Sequence, residues 1–217
     1  MKDRDSIKYY PPKEEFWNVL SHGAGLGFSL LALVLLLVRA SRYDSMRLSL
    51  SFAVFGVGLI LLYAASTFYH SARDPKWRYR LKIFDHVAIF ILIAATYTPF
   101  SLITLKGDMG WTIFGVAWGI AFFGTILKLF FTGRFKILST LLYVGMGWVI
   151  IFAIKPLIEN LSSAGLWWLF AGGFFYTLGA ILYNISRIKY NHAIFHLFVL
   201  LGSFSHFMAI YQHVFPK

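Results

Sequence analysis

The chain has 217 residues, of which 59% are hydrophobic and 19% aromatic while only 13% are charged, against a globular average of about 25% charged. That composition excludes an ordinary water-soluble domain, and the lack of cysteine excludes a disulfide framework and thiolate metal sites. A formal net charge of +11 raises nucleic acid as a partner, but a basic stretch exists only from Arg73 to Lys82, so no nucleic-acid partner is expected.

The first residues, MKDRDSIKYYPPKEE, are polar, mixed in charge and interrupted by Pro11 and Pro12. They lack the basic region and short apolar core of a cleavable signal and read as a short tail, residues 1–15, ahead of a retained first span. Seven apolar blocks then follow, at about 16–38, 48–70, 84–105, 110–131, 136–154, 165–186 and 192–214, each near the ~20 helical residues that cross a ~30 Å hydrocarbon core. The blocks are uniformly apolar and lack the ten-residue alternation of a lipid-embedded strand. The expected fold class is therefore all-α, a single seven-helix transmembrane bundle over residues 16–217, integral to a membrane.

Orientation follows from the basic residues. Fourteen of the twenty Lys and Arg fall in the tail or in the loops after the second, fourth and sixth spans, and six (Arg39, Arg42, Arg47, Lys106, Lys155, Lys217) fall on the other side. Basic residues concentrate on the cytoplasmic side, which predicts a cytoplasmic N-terminus and an external C-terminus.

Ionisable groups in a bilayer cost about 2.5–3.5 kcal/mol each and face a bundle interior or a wet cavity. They occur here at His22, His70, Asp85, His86, Lys128, His192, His196, His206 and His213. Lys128 and His213 lie near membrane edges, where they can snorkel. The second span ends at His70, the third begins at Asp85 and the seventh begins at His192, so the topology sets all three at one depth. His196 lies seven residues beyond Lys189, about 10 Å along a helix.

His192 and His196, four residues apart, share a helix face with about 6 Å between Cβ atoms. With His70 they supply three nitrogens for one Zn²⁺ and leave the fourth tetrahedral position open, as catalytic zinc sites do. Asp85 can bind the ion directly or hold a water at the open position and accept its proton; the second is its expected role. Ser66, four residues before His70, can orient that water or a substrate carbonyl. An i, i+4 histidine pair by itself is accounted for by interhelical hydrogen bonds, but four costly residues at one depth argue for an ion.

His206 lies ten residues beyond His196, about 15 Å farther by helical rise, and cannot share that ion. It points within about 40° of His192 and reads as a cavity or hydrogen-bonded packing residue. His22 begins the first span and is a candidate support for the ligands, whereas His86, about 100° from Asp85, is expected to pack elsewhere.

With these residues in hand, the chain resembles the hemolysin III branch of the progestin and adipoQ receptor family over nearly its whole length. The resemblance is carried by N-V-L-S-H-G at 18–23, S-T-F-Y-H at 66–70, F-D-H-V-A-I-F at 84–90, A-T-Y-T-P-F at 95–100 and H-A-I-F-H-L-F-V at 192–199. It implies zinc held by His70, His192 and His196, with Asp85 acting through water, and kinship with membrane hydrolases that include alkaline ceramidases. Hydrolysis of a lipid amide or ester is the implied reaction, with membrane lipids as substrate or ligand, a place in the plasma (bacterial inner) membrane and a role in bacterial membrane lipid homeostasis. The eukaryotic receptors of the family carry a longer N-terminal domain than the fifteen residues here, which puts hormone reception in doubt.

Two functions compete. In one, the protein is a zinc-dependent intramembrane hydrolase in which Asp85 takes the proton and Ser66 helps position the oxyanion. In the other it is a non-enzymatic lipid or fluidity sensor whose structural zinc ties spans together and biases a conformational equilibrium. A hemolysin-like pore or channel, the third reading, requires a continuous polar path that the sequence does not display.

Overall fold

A computed structural model describes residues 8–132 and 136–216. Of the basic residues counted for orientation, Lys2, Arg4, Arg134 and Lys217 lie outside the described residues. Among the described residues every regular element is a helix, and seven are long and apolar enough to cross a membrane.

The first two spans are α1 (Pro12–Ala40) and α2 (Met46–Ser71). The third is α3 (Pro75–Pro99), which continues as a π-helical turn over Phe100–Leu105, and the fourth is α4 (Gly107–Phe131). The fifth is built in pieces, α5 (Lys136–Gly147), a 3₁₀ segment (Val149–Ala153) and α6 (Ile154–Asn160). The sixth and seventh are α7 (Ser163–Asn184) and α8 (Asn191–His213).

Local chemistry explains where the helices begin. Pro12 opens α1 and Pro75 opens α3, since proline's missing N–H would be unsatisfied in a first turn anyway. Asp74 caps α3 by accepting from the Trp77 N–H at 2.9 Å, and Ser45 and Ser162 cap α2 and α7 in the same way. As a result α3 starts nine residues before its apolar block, and Lys76, Arg78, Arg80 and Lys82, expected in a loop, lie on its first turns.

Two spans leave α geometry. Pro99 can donate no backbone hydrogen bond, and beyond it α3 widens into π turns that end with the Lys106 N–H bonded to the Ser101 carbonyl five residues back. Lys106 then takes a left-handed conformation (φ 55°) and the chain reverses at once into α4. Gly110 closes this corner: a β-carbon there would stand 2.3 Å from the Ser101 carbonyl oxygen, so only glycine fits. In the fifth span the break around Trp148 is satisfied by protein, as it must be at membrane depth. The Tyr97 hydroxyl accepts from the Ile150 N–H at 2.9 Å and lies 2.8 and 3.0 Å from the Gly147 and Met146 carbonyls.

The spans form a ring. α1 packs against α2 and α8, α2 against α3, α3 against α4, and α7 against α8, while α5 bridges α3, α4 and α7. The third span is the most enclosed and carries Phe90, Leu92, Ala94, Ala95 and Phe100 into the core. The perimeter is apolar, with Phe123, Phe130, Phe152 and Trp167 at least 70% exposed. Large apolar side chains facing outward around the whole bundle make this a multi-pass integral membrane protein.

Candidate metal centre

The centre lies where α1 and α8 begin and α2 ends. α1 buries a stripe at helical spacing, Glu14, Asn18, His22, Gly25 and Ser29, against its neighbours. α2 buries Ser66 and His70 in its last turns, and α8 buries His192 and His196 in its first two. Asn191 fixes the start of α8 by donating to the Tyr183 carbonyl of α7 at 3.0 Å.

Three imidazoles converge. His192 Nε2 lies 3.0 Å from His70 Nε2 and 3.1 Å from His196 Nε2, and the three residues each offer a ligand atom within 4.8 Å of the others. All three are buried. Among the described residues no carboxylate joins this group.

The outer nitrogens decide what the inner ones can be. His70 Nδ1 lies 2.6 Å from Glu15 Oε2, where a carboxylate can only accept, so Nδ1 carries the hydrogen and, in the neutral ring, Nε2 presents a lone pair. His196 Nδ1 lies 3.3 Å from both the Asn18 carbonyl and Ser21 Oγ, and since the carbonyl can only accept, that contact favours the same tautomer. A hydrogen on His192 Nε2 can point to only one of its two neighbours, leaving the other neighbour's lone pair at 3.0 or 3.1 Å without a donor, and without that hydrogen all three lone pairs face one another. A cation among the three nitrogens removes that conflict, and the donor set fits one. On these grounds the three histidines can form a metal site.

The surroundings hold the ligands in place. Glu15 also pairs with Arg78, which is 2% exposed and donates to the Ala72 and Tyr69 carbonyls at 3.1 and 3.3 Å, closing the end of α2. Glu14 accepts from the His192 backbone N–H at 3.2 Å. Tyr10, ahead of α1, stacks on the His192 ring with centroids 4.5 Å apart. Burial, reinforced by neighbouring tyrosines and carboxylates, holds its phenol well above the usual tyrosine range, so it remains a neutral cover.

Asp85 and Ser66 line one cavity with His192 and His196, a space of about 400 Å³ bounded largely by apolar side chains such as Ile89, Leu92, Ile93 and Phe170. His22 also lines it but supplies no ligand atom to the group: it stacks on His196 at 3.5 Å, 9° from parallel, and stands edge-on to Tyr63. His206 lines the same cavity, its Nε2 held by the Leu169 carbonyl at 3.2 Å. His86, expected to pack elsewhere, instead lies beside Asp85, with Nδ1 3.5 Å from Oδ2 and 2.8 Å from the Lys82 carbonyl.

Sequence reasoning missed Glu14, Glu15, Asn18 and Arg78, because the first two were read as tail and Arg78 as loop. The signal was present: proline followed by two glutamates is a helix start, and from it Glu15, Asn18 and His22 fall at i, i+3 and i+7 on one face.

A bundle of seven membrane spans enclosing a buried three-histidine centre defines the class of this protein. Residues 10–207 match the family model described as haemolysin-III related, and the chain belongs to that family. It is 47% identical over 204 residues to "Hemolysin-3" of Bacillus cereus, a match covering 94% of this chain and 93% of that protein. It is 46% identical to "Hemolysin-3 homolog" of Bacillus subtilis (strain 168), covering 91% and 93%. A more distant relative, "Monocyte to macrophage differentiation factor" of Homo sapiens, is 29% identical over 75% of this chain and 69% of its own.

Proposed function

We propose that the protein is a zinc-dependent hydrolase of a membrane lipid amide or ester, acting in lipid homeostasis of a bacterial plasma membrane with its N-terminus in the cytoplasm. The observation that carries this reading is the donor set: three histidine nitrogens and, among the described residues, no carboxylate within reach of all three, beside an apolar cavity that also holds a carboxylate and a hydroxyl. Nitrogens about 2.0–2.1 Å from a tetrahedral zinc stand roughly 3.3 Å apart, close to the separations here. Three protein ligands suit a catalytic ion, whereas a structural one takes four.

When bound, zinc supplies a Lewis acid that polarises an acyl carbonyl and lowers the pKa of water to about 7. The residues of the chain do the rest. Asp85 accepts the proton released as the water oxygen bonds to the acyl carbon, and returns it to the nitrogen or oxygen that leaves when the old bond breaks. Ser66 donates its hydroxyl hydrogen to the acyl oxygen as negative charge grows there. Glu15 and the Asn18 carbonyl keep the lone pairs of His70 and His196 aimed inward.

The test is mass spectrometry of purified protein incubated with ceramides, acyl amides and phospholipids, with metal content measured on the same sample. Wild type is expected to carry one zinc and to release fatty acid. Asp85→Ala is expected to keep the zinc and lose about 10²–10⁴-fold in release, the usual contribution of a positioned acid–base group. Wild-type protein without stoichiometric metal overturns the reading. Zinc without release from any lipid leaves the sensor, in which the ion only ties α2 to α8.

A further inference from the structure

The cavity has a second polar zone besides the histidine centre. Lys82 on α3, Lys128 on α4, and Ser139, Thr140 and Tyr143 on α5 line it together. Lys128, expected to snorkel at a membrane edge, is instead 2% exposed; it donates to Ser139 Oγ and lies 5.8 Å over the Tyr143 ring. Lys82 is 8% exposed, and Lys8, set over the Tyr10 ring at 4.3 Å, lines the same space.

Among the described residues the nearby carboxylates have partners other than Lys128. Glu15 serves His70 and Arg78, Glu14 takes the His192 backbone N–H, and Asp85 lies beside His86. Among the described residues Lys128 forms no ion pair. A buried ammonium with only a hydroxyl and a ring for partners is poorly compensated in low dielectric, and an anion entering the cavity would be drawn to it. The remaining wall, with Ile93, Val144, Leu169 and Phe170, suits an acyl chain.

We propose that the cavity selects amphiphiles with an anionic head, a carboxylate or a phosphate, held by Lys128 and Lys82 while the chain lies along the apolar wall. This rests on the hydrolase reading for its consequence, because Lys82 is three residues from Asp85. One turn of α3 would then separate the head from the proton acceptor, which makes a short-headed anionic lipid the substrate class.

The experiment is native mass spectrometry of the full chain in uncharged detergent, titrated with dodecyl phosphate, lauric acid and, at equal chain length, dodecanol. The two anions are expected to bind at least tenfold more tightly than dodecanol. Lys128→Met and, on a different helix, Lys82→Met are each expected to cut that preference below threefold, and Lys128→Arg to keep it. Equal affinities in wild type, or an unchanged preference in both methionine variants, overturn the proposal. Displacement of dodecyl phosphate by equimolar inorganic phosphate overturns the amphiphile in favour of a free anion.

The same titration of His192→Ala separates the two readings. A preference that survives there is carried by the lysines and stands even if no lipid is hydrolysed. A preference lost there belongs to the metal centre, and this proposal fails while hydrolysis is untouched.

Discussion

Glu15 is the residue on which the centre turns. One carboxylate sets the tautomer of His70, neutralises Arg78 and accepts from the Tyr10 backbone N–H at 3.3 Å. Outer partners of this kind raise ligand basicity, and their loss costs 10–100-fold in metal affinity. Glu15→Gln is therefore expected to weaken zinc binding by about that factor in a competitive chelator titration. An affinity within twofold of wild type would show that His70 needs no such support. The convergence of His70, His192 and His196 was legible in the sequence because histidine is costly in a bilayer and because two of them share a helical face. Glu15 was not, since a carboxylate at a membrane edge carries no such penalty and stands out only once the helix start is placed.

At the scale of elements, the seven apolar blocks were legible because hydropathy and length alone specify a membrane span. Their irregularities were not. Pro99 sits in an apolar stretch that reads as uninterrupted, and nothing local announces that Tyr97 will satisfy a break 50 residues later. The early start of α3 was readable in principle, since Asp-Pro is an N-cap followed by a first-turn proline. The tight corner between the third and fourth spans gives the sharpest structural prediction. Gly110→Ala pushes a methyl into the Ser101 carbonyl, which belongs to backbone and cannot swing away. A loss of about 1–3 kcal/mol is expected, seen as a lower thermal midpoint in detergent; an unchanged midpoint would mean that the π turn yields freely.

For the whole molecule, orientation is the property that the bundle leaves to charge. The basic excess predicts that a reporter fused after Lys217 reads as external, and a cytoplasmic signal there would reject an N-in arrangement of seven spans. Ring closure was the least legible feature at this scale. Span order follows from the chain, but the docking of α8 on α1 and α2 depends on side chains far apart in sequence. Depth arithmetic nevertheless placed His70 and His192 together, since both sit at the same end of their spans.

That closure has a bearing on how the protein is made. Glu14 meets the His192 backbone, and Asn18 meets His196, across 178 residues of chain. Spans emerge from the ribosome in order, so α1 and α2, which carry Glu15 and His70, are made before α8 supplies His192 and His196. The centre cannot exist until the last of them arrives. Completion of the site thus awaits synthesis of α8, and a nascent chain that lacks this helix presents only His70 of the three converging histidines.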